Sequence, residues 1–332
     1  MLAPRPLSPP VLAVEPLDHI WPLLAIVGPT AAGKSALALA MAEKTKGEIL
    51  NYDSVQVYRG FNIASGKVPI EERRGTPHHL LDLVDPDQVF TAGDYRREAQ
   101  RVLGAVRERG RLPILVGGTG LYLRSLLKGL FDGPPRSEVL RARLRRMAAR
   151  RGSGFLHRLL IRLDAARASR IHPHDQQKLI RAIEVCLLAR QPMSVMFRQG
   201  RGGLEGFRVF KLGLNPPRRE LHERIDRRVE EMYRRGLLEE VRVALGQPGS
   251  ALLKPLEALG YAQACAAVRQ DLSVEEAIRQ TQAATRQYAK RQMTWFRREE
   301  DVAWFVGFGD DPEVQRHAVG WFRRSSVSVY TA

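Results

Sequence analysis

The stretch Leu23 to Ser35, LLAIVGPTAAGKS, constrains this chain more than any other. Leu23 to Val27 is an apolar run that reads as a buried strand. Gly28, Gly33, Lys34 and Ser35 fill the fixed places of the pattern G-x-x-x-x-G-K-[ST], with Pro29, Thr30, Ala31 and Ala32 between them. The alanine-rich run that follows, with Leu37 and Met41 one turn apart, predicts a helix. Strand, glycine loop and helix in that order predict a cradle whose backbone N–H groups point into one concavity. The helix start adds partial positive charge there. Lys34 adds a full charge, and Ser35 a hydroxyl suited to a magnesium ion. Such a loop grips a polyphosphate; the plain alternative is a glycine-rich turn with no ligand. The loop alone does not say which phosphate ester it holds or what is done to it.

A chain of 332 residues has room for one large domain or two. Its charge says more than its length. The net charge is +17, and the excess is nearly all arginine. A field of that sign makes nucleic acid the first partner to consider and an anionic membrane surface the second. Cys186 and Cys265 lie far apart without metal spacing and read as small buried hydrophobes of a reducing, cytoplasmic compartment. No apolar run approaches the ~20 residues of a membrane span. Residues 1–22 carry six prolines and read as a disordered tail rather than a signal peptide.

In chain order, Glu48 to Tyr52 reads as a second strand ending in Asp53-Ser54. In a parallel α/β sheet the carboxyl ends of strands face the ligand crevice, which sets Asp53 beside the phosphate loop. There it would accept a proton or hold magnesium, or else serve as an ordinary turn residue. Residues 59–90 read as loop and hold Lys67 and the pair His78-His79, the adjacent histidines being a poor metal motif and reading as structural or substrate-shaping. Thr91 to Asp94 opens a helix that Gly110 ends. Leu112 to Val116 is another buried strand, running into a second glycine turn, Gly117 to Gly120, and a helix. Residues 136–206 then change character: helical in pattern and rich in arginine, they read as an insertion into the core. A helix from Asp175 is expected to bury Leu179, Ile180, Ile183 and Leu187. The bland reading of such a segment is a solvated charged surface. Phe207 to Leu214 returns to strand, and Arg218, Arg219 and Arg224 open the next helix facing either phosphates or solvent. On the helix Ala277 to Arg298, Arg279, Arg286, Lys290 and Arg297 fall within a stripe of about 40° at 100° per residue. That stripe suits an RNA or DNA backbone. Val302 to Val306 is a last strand, and 309–332 reads as a tail.

The motifs GPTAAGKS, DSVQVYRG, HHLLDL, FTAGDYRREA, GGTGLYL, HPHDQQKLIRAIEV, R-x-x-L-H-x-R-I, EALGY and TRQYAKRQMTWFR occur in this order. With them the chain closely resembles the bacterial tRNA dimethylallyltransferases, or tRNA isopentenyltransferases, over about residues 23–300. It departs from the family's Gly-Thr-Ala-Lys-Pro with Ala64-Ser65-Gly66-Lys67-Val68, keeping the lysine. The resemblance implies an α/β fold: a P-loop NTPase-like parallel sheet flanked by helices (23–135 and 207–308), with a helical insertion domain at 136–206 that contacts tRNA. It implies transfer of a dimethylallyl group from dimethylallyl diphosphate to N6 of the adenosine 3′ of the anticodon, in tRNAs reading codons that begin with U. The enzyme is expected to be a cytoplasmic monomer using Mg²⁺.

The resemblance also implies roles. Lys34, the loop amides, Mg²⁺ on Ser35 and Arg218 would hold the departing diphosphate; Asp53 would take the N6 proton, and Thr119 would bond near the amine. Matching the family's RNA contacts are Asp53, Ser54, Val55 and Gln56; Thr119; Arg141; and Gln177, Lys178, Leu179, Ile180 and Arg181. So do Glu257, Ala258, Leu259, Gly260, Tyr261 and Ala262, and Lys290, Arg291, Gln292, Met293, Thr294, Trp295, Phe296 and Arg297. Two rival readings stand beside it: a P-loop kinase acting on a small metabolite or nucleoside, and a nucleotide-gated RNA-binding protein.

Overall fold

The computed structural model describes residues 20–131, 133–198 and 202–327. These fall into two compact units, one of residues up to 126 and from 205 onward, the other of residues 127–204. The elements run β1 (Trp21–Val27), α1 (Lys34–Thr45), β2 (Glu48–Asn51), β3 (His78–His79), α2 (Ala92–Glu108), β4 (Pro113–Val116) and α3 (Gly120–Lys128). Five helices follow: α4 (Glu138–Arg151), α5 (Ser153–Leu163), α6 (Ala165–Ala168), α7 (Gln176–Ala189) and α8 (Met193–Arg198). Then come β5 (Phe207–Asn215), α9 (Arg218–Arg234), α10 (Leu237–Leu245), α11 (Tyr261–Val268), α12 (Val274–Phe296), β6 (Val302–Val306) and α13 (Pro312–Val327).

The six strands form one parallel sheet in the order β3-β2-β4-β1-β5-β6, as the α/β expectation requires. β1 is buried along its whole length, which is why it reads as a continuous apolar run rather than an alternating one. It is central, with Ile26 opposite Val116 of β4 and Val27 opposite Gly213 of β5. Leu37, Ala38 and Met41 of α1 cover one face of the sheet. The α2 start is a reciprocal cap: Asp94 N–H donates to Thr91 Oγ1 at 3.2 Å, and Thr91 N–H donates to Asp94 Oδ2 at 2.8 Å.

Three sequence expectations change. The segment 309–332, expected as a tail, instead supplies α13, whose Val314, Ala318 and Phe322 join the α1 side of the core. Those residues recur at a four-residue spacing that marks a buried helical stripe. Trp21 and Pro22 belong to β1 rather than to a leading tail; residues 1–19 of that tail lie outside the described residues. Finally, His78-His79 is a short strand on the edge of β2. His79 Nε2 bonds Glu48 Oε2 at 2.7 Å, a structural role, and His78 Nδ1 bonds the Thr76 carbonyl at 2.9 Å while His78 also lines the cavity at the sheet edge.

In the unit 127–204, α4, α5 and α7 enclose an apolar centre of Leu144, Leu156, Leu160, Leu179 and Ile183. Leu187, expected inside, is 43% exposed, because α7 is near its end there. Among the described residues no helix is long and apolar enough to cross a membrane.

Candidate active site

Because every strand runs the same way, the loops after β1, β2, β4, β5 and β6 emerge at one edge. The loop after β1 carries Gly28 to Ser35. Lys34 Nζ turns back to the carbonyls of Gly28 and Pro29, at 3.0 and 2.7 Å. The N–H groups of Ala31, Gly33, Lys34 and Ser35 find no acceptor among the described residues. Behind this loop lies the turn before α13: Gly309 N–H donates to the Ala32 carbonyl at 2.9 Å. Arg224 Nη1 donates to Asp310 Oδ1 at 2.7 Å and ties that turn to α9.

A cavity of about 330 Å³ opens in front of the loop. Its walls include Thr30 to Ser35, Asp53, Gln56, Gly117, Gly118, Arg228, Tyr288 and Gln292. Burial lifts the Asp53 carboxyl above its ordinary range, against the N–H groups of Val55 and Gln56 and the charges of Lys34 and Arg228, which pull it down. The Val55 N–H reaches Asp53 Oδ1 at 2.9 Å, which fixes the carboxylate's direction. Thr119 Oγ1 accepts from the Ser54 N–H at 2.9 Å and donates to Ser54 Oγ at 3.1 Å. Burial and the Arg228 charge bring the Lys34 ammonium down to about 7, against an upward pull from Asp53.

The cavity's arginine is not the expected one. Arg218 is exposed at the first turn of α9 and does not line the cavity. Arg228 does, because α9 runs its inner face along the cavity and residue 228 lies nearly three turns further on. Its guanidinium approaches residue 66 so closely that a Cβ there would stand 2.0 Å from Nη2; a side chain at residue 66, strained also by the φ of +67°, would displace the guanidinium. The sequence holds a usable signal, since Leu221, Ile225, Arg228 and Met232 share one helical stripe. An arginine on an otherwise apolar stripe is costly unless it does something. Tyr288 of α12 also lines the cavity and donates to the Gly118 carbonyl at 3.2 Å.

A second cavity of about 230 Å³ shares Thr30, Asp53, Arg228 and Tyr288 with the first. Its further walls are Val55, Ala64, Ile225, Val229, Leu259 and Gly260, with the hydroxyl residues Ser54, Thr281 and Thr285 among them.

The expected RNA contacts divide sharply. Lys290, Arg291 and Thr294 lie exposed on α12 and Arg297 exposed just past its end, Met293 is half-buried, and Gln177, Lys178, Glu257 and Ala262 are exposed elsewhere. Leu179, Ile180, Tyr261 and Phe296 are corrections: all four are buried, and their side chains build the core. Tyr261 donates to Glu240 Oε1 at 2.6 Å. Arg141 is likewise committed elsewhere, since its Nε and Nη2 both reach Glu184 at 2.9 Å. Arg181 Nη1 donates to Glu184 Oε2 at 2.7 Å, so one fully buried carboxylate holds both arginines. On the α12 stripe, Arg279 and Arg286 are paired with Glu276 and Asp226, whereas Lys290 and Arg297 have no carboxylate within reach among the described residues. Gln292 is buried between two loops, and Trp295 lies under the Arg124 guanidinium at 4.2 Å.

Comparison with known proteins extends this geometry. The IPP transferase family model matches residues 56–299. A tRNA dimethylallyltransferase of Solibacter usitatus is 52% identical over 90% of this chain and 97% of its own. One of Koribacter versatilis is 51% identical over 90% of this chain and 96% of its own. Among solved structures, the full-length tRNA isopentenylpyrophosphate transferase of Bacillus halodurans superimposes with a TM-score of 0.67 at 33% identity, covering 93% of this chain and 99% of that one. A eukaryotic dimethylallyltransferase acting on tRNA gives a TM-score of 0.73 at 26% identity, over 88% of this chain and 74% of that one. The kinase reading is not favoured by any of these likenesses. By its sequence along most of its length, and by its fold, the chain belongs to the IPP transferase family.

Proposed function

We propose that this enzyme transfers the dimethylallyl group of dimethylallyl diphosphate to N6 of the adenosine 3′-adjacent to the anticodon, in tRNAs reading codons that begin with U. What supports this most is one cavity wall shared by an anion cradle, a carboxylate of raised pKa and a half-buried arginine. The curated relatives' names point to the same acceptor and group. The N6 nitrogen attacks C1 of the allyl group as the C1–O bond to diphosphate breaks. The diphosphate leaves with the bonding electrons, and Asp53 takes the proton from N6.

The N–H groups of Ala31, Gly33, Lys34 and Ser35, with Lys34 and Arg228, neutralise charge on the leaving group. The partly apolar second cavity beside Arg228 suits the five-carbon tail. Thr119, through Ser54, holds the segment that presents Asp53. An adenine stacked in an anticodon loop cannot reach Asp53, so it is flipped out of the stack to react. The exposed Ser35 hydroxyl at the cavity is a hard oxygen donor of the kind Mg²⁺ takes. When bound, that ion adds positive charge against the diphosphate. Residues 136–206 supply further tRNA contacts, and the enzyme works as a cytoplasmic monomer.

The test is transfer of label from radiolabelled dimethylallyl diphosphate into unmodified tRNA with Mg²⁺. Label in RNA is expected. No transfer, with phosphorylation of a small molecule from ATP instead, overturns the proposal.

A further inference from the structure

Gln292 matches the RNA contacts of α12 by its place in the motif, yet it points inward and is 5% exposed. Both ends of its side-chain amide are used. Oε1 accepts from the Thr30 N–H at 2.7 Å, and Nε2 donates to the Gly118 carbonyl at 2.9 Å. One bond holds the loop after β1, and the other holds the glycine turn after β4. The orientation is dictated, because a flipped amide would set oxygen against oxygen and N–H against N–H. A Cβ on residue 118 would stand 2.7 Å from Gln292 Nε2 and 2.9 Å from Asp53 Oδ2, so this approach requires glycine there. Tyr288 Oη donates to the same carbonyl, which is therefore held from two positions on one helix. Fixing Gly118 also fixes its neighbour: Thr119 N–H donates to the Tyr52 carbonyl at 3.2 Å, and Thr119 Oγ1 holds the N–H of Ser54, beside Asp53.

We propose that Gln292 is a positioning residue, a latch that sets the distance between the donor cradle at Thr30 and the acceptor side of the site at Gly118, Thr119 and Asp53. This rests on the prenyl-transfer reading above. A shift of about 1 Å between two reactants costs on the order of a hundredfold in rate, so a latch spanning both binding loops governs turnover without touching either substrate.

Two variants test it, Gln292→Met and Gln292→Glu, measured for kcat, both KM values, tRNA affinity and Tm. Methionine keeps the volume and removes both hydrogen bonds; kcat is expected to fall about thirty- to a hundredfold with tRNA affinity unchanged. A protonated glutamic acid reproduces the shape and the donor–acceptor pattern of glutamine, whereas its carboxylate repels the Gly118 carbonyl and Asp53. The wild-type-to-Glu ratio of kcat is therefore expected to be large at high pH and to narrow about tenfold or more as pH falls through that carboxyl's raised pKa. Protonation of Asp53 slows both proteins and largely divides out of the ratio. A Met variant within twofold of wild-type kcat overturns the proposal, as does a deep loss in the Glu variant that is flat with pH, since a mere space-filler gives that result. If the Met variant does not fold, the pH ratio of the Glu variant decides alone. If wild type transfers no prenyl group, that reading fails, and binding of inorganic diphosphate decides the latch. It is expected to weaken about tenfold in either variant, and unchanged affinity overturns the latch.

Discussion

Residues 127–204 hold seventeen lysines and arginines against five acidic residues, a surplus of twelve out of the whole chain's seventeen. The rest of the protein, more than three times as long, carries only five. The two units differ in how much of their positive charge is left over. In the sheet unit, the arginines around the site sit in single partnerships: Arg124 with Glu299, Arg286 with Asp226, Arg224 with Asp310, and Arg228 desolvated at the cavity. In the other unit, Arg141 and Arg181 share Glu184, while Arg143, Arg145, Arg146, Arg162 and Arg170 have no carboxylate in reach among the described residues. Charges left unpaired add into a field that falls off over about a Debye length, ~8 Å at physiological salt. A charge placed singly and buried acts only on what touches it. Chemistry is therefore expected to depend on single residues of the sheet unit, and RNA affinity on sums over surface residues.

The largest effect tests the first half of that contrast. Asp53→Ala is expected to lower kcat by about a hundred- to ten-thousand-fold, the range for loss of a positioned base. Its tRNA affinity, measured by filter binding, is expected to change less than about threefold, because the charge field stays intact. A large loss of affinity with turnover preserved would remove Asp53 from the chemistry.

Next comes Glu184, a buried carboxylate that holds two arginines in the arginine-rich unit. Burial alone would raise the Glu184 pKa, but Arg141, Arg181 and the Ser137 N–H outweigh it and hold the carboxyl below its ordinary value. Glu184→Ala leaves two arginines without their counter-charge and is expected to cost about 3–5 kcal/mol in the stability of this unit, read from denaturant melts. The same linkage has a pH sign. Glu184 stabilises fully above the unfolded carboxylate pKa, and its contribution is lost as pH falls through the lower folded value. A Glu184→Ala melt matching wild type at neutral pH would show that the pair is only a surface feature.

A smaller effect belongs to Lys34. Its ammonium titrates near 7 in the free protein, and bound diphosphate, being negative, raises that value. Diphosphate binding therefore takes up protons above pH 7, and affinity is expected to fall by up to about tenfold per pH unit there. Calorimetry in buffers of different ionisation enthalpy measures the uptake directly. Proton release on binding would reverse the sign and show that another group dominates.

These contrasts also explain what is legible in the sequence. The sheet, the anion cradle and Asp53 are readable because a parallel strand is a continuous apolar run and its loop chemistry sits at the strand's end. Arg228 is hidden because function there interrupts an apolar stripe rather than forming a motif. Leu179, Ile180, Tyr261 and Phe296 offer RNA no exposed side chain for the opposite reason: a motif shared by a family mixes residues that face outward with residues that hold the backbone under them. Helical periodicity separates them, and on that test Leu179, Ile180 and Phe296 fall on buried faces. Arg141 is beyond reach of any local pattern, because its partner Glu184 lies 43 positions away.

The smallest expected effect probes the α12 stripe, where paired and unpaired positives stand on one helix. Arg286 is tied to Asp226, so its net charge toward a distant phosphate is close to cancelled, and few counterions wait there to be released. Lys290 and Arg297 are exposed, Lys290 without a polar partner among the described residues and Arg297 reaching only Asn215 Oδ1 at 3.4 Å. Lys290→Ala with Arg297→Ala is expected to weaken tRNA binding severalfold at moderate salt and to reduce the slope of log K against log salt by about two, one for each phosphate that is no longer neutralised. Arg286→Ala is expected to reduce it by less than one and instead to loosen the packing of α9 on α12, visible as a lower Tm. Equal slope changes for all three residues would mean that Asp226 does not screen Arg286. An unchanged slope for the Lys290 and Arg297 pair would take this helix face off the RNA altogether and leave the arginines of residues 127–204 as the source of the salt dependence.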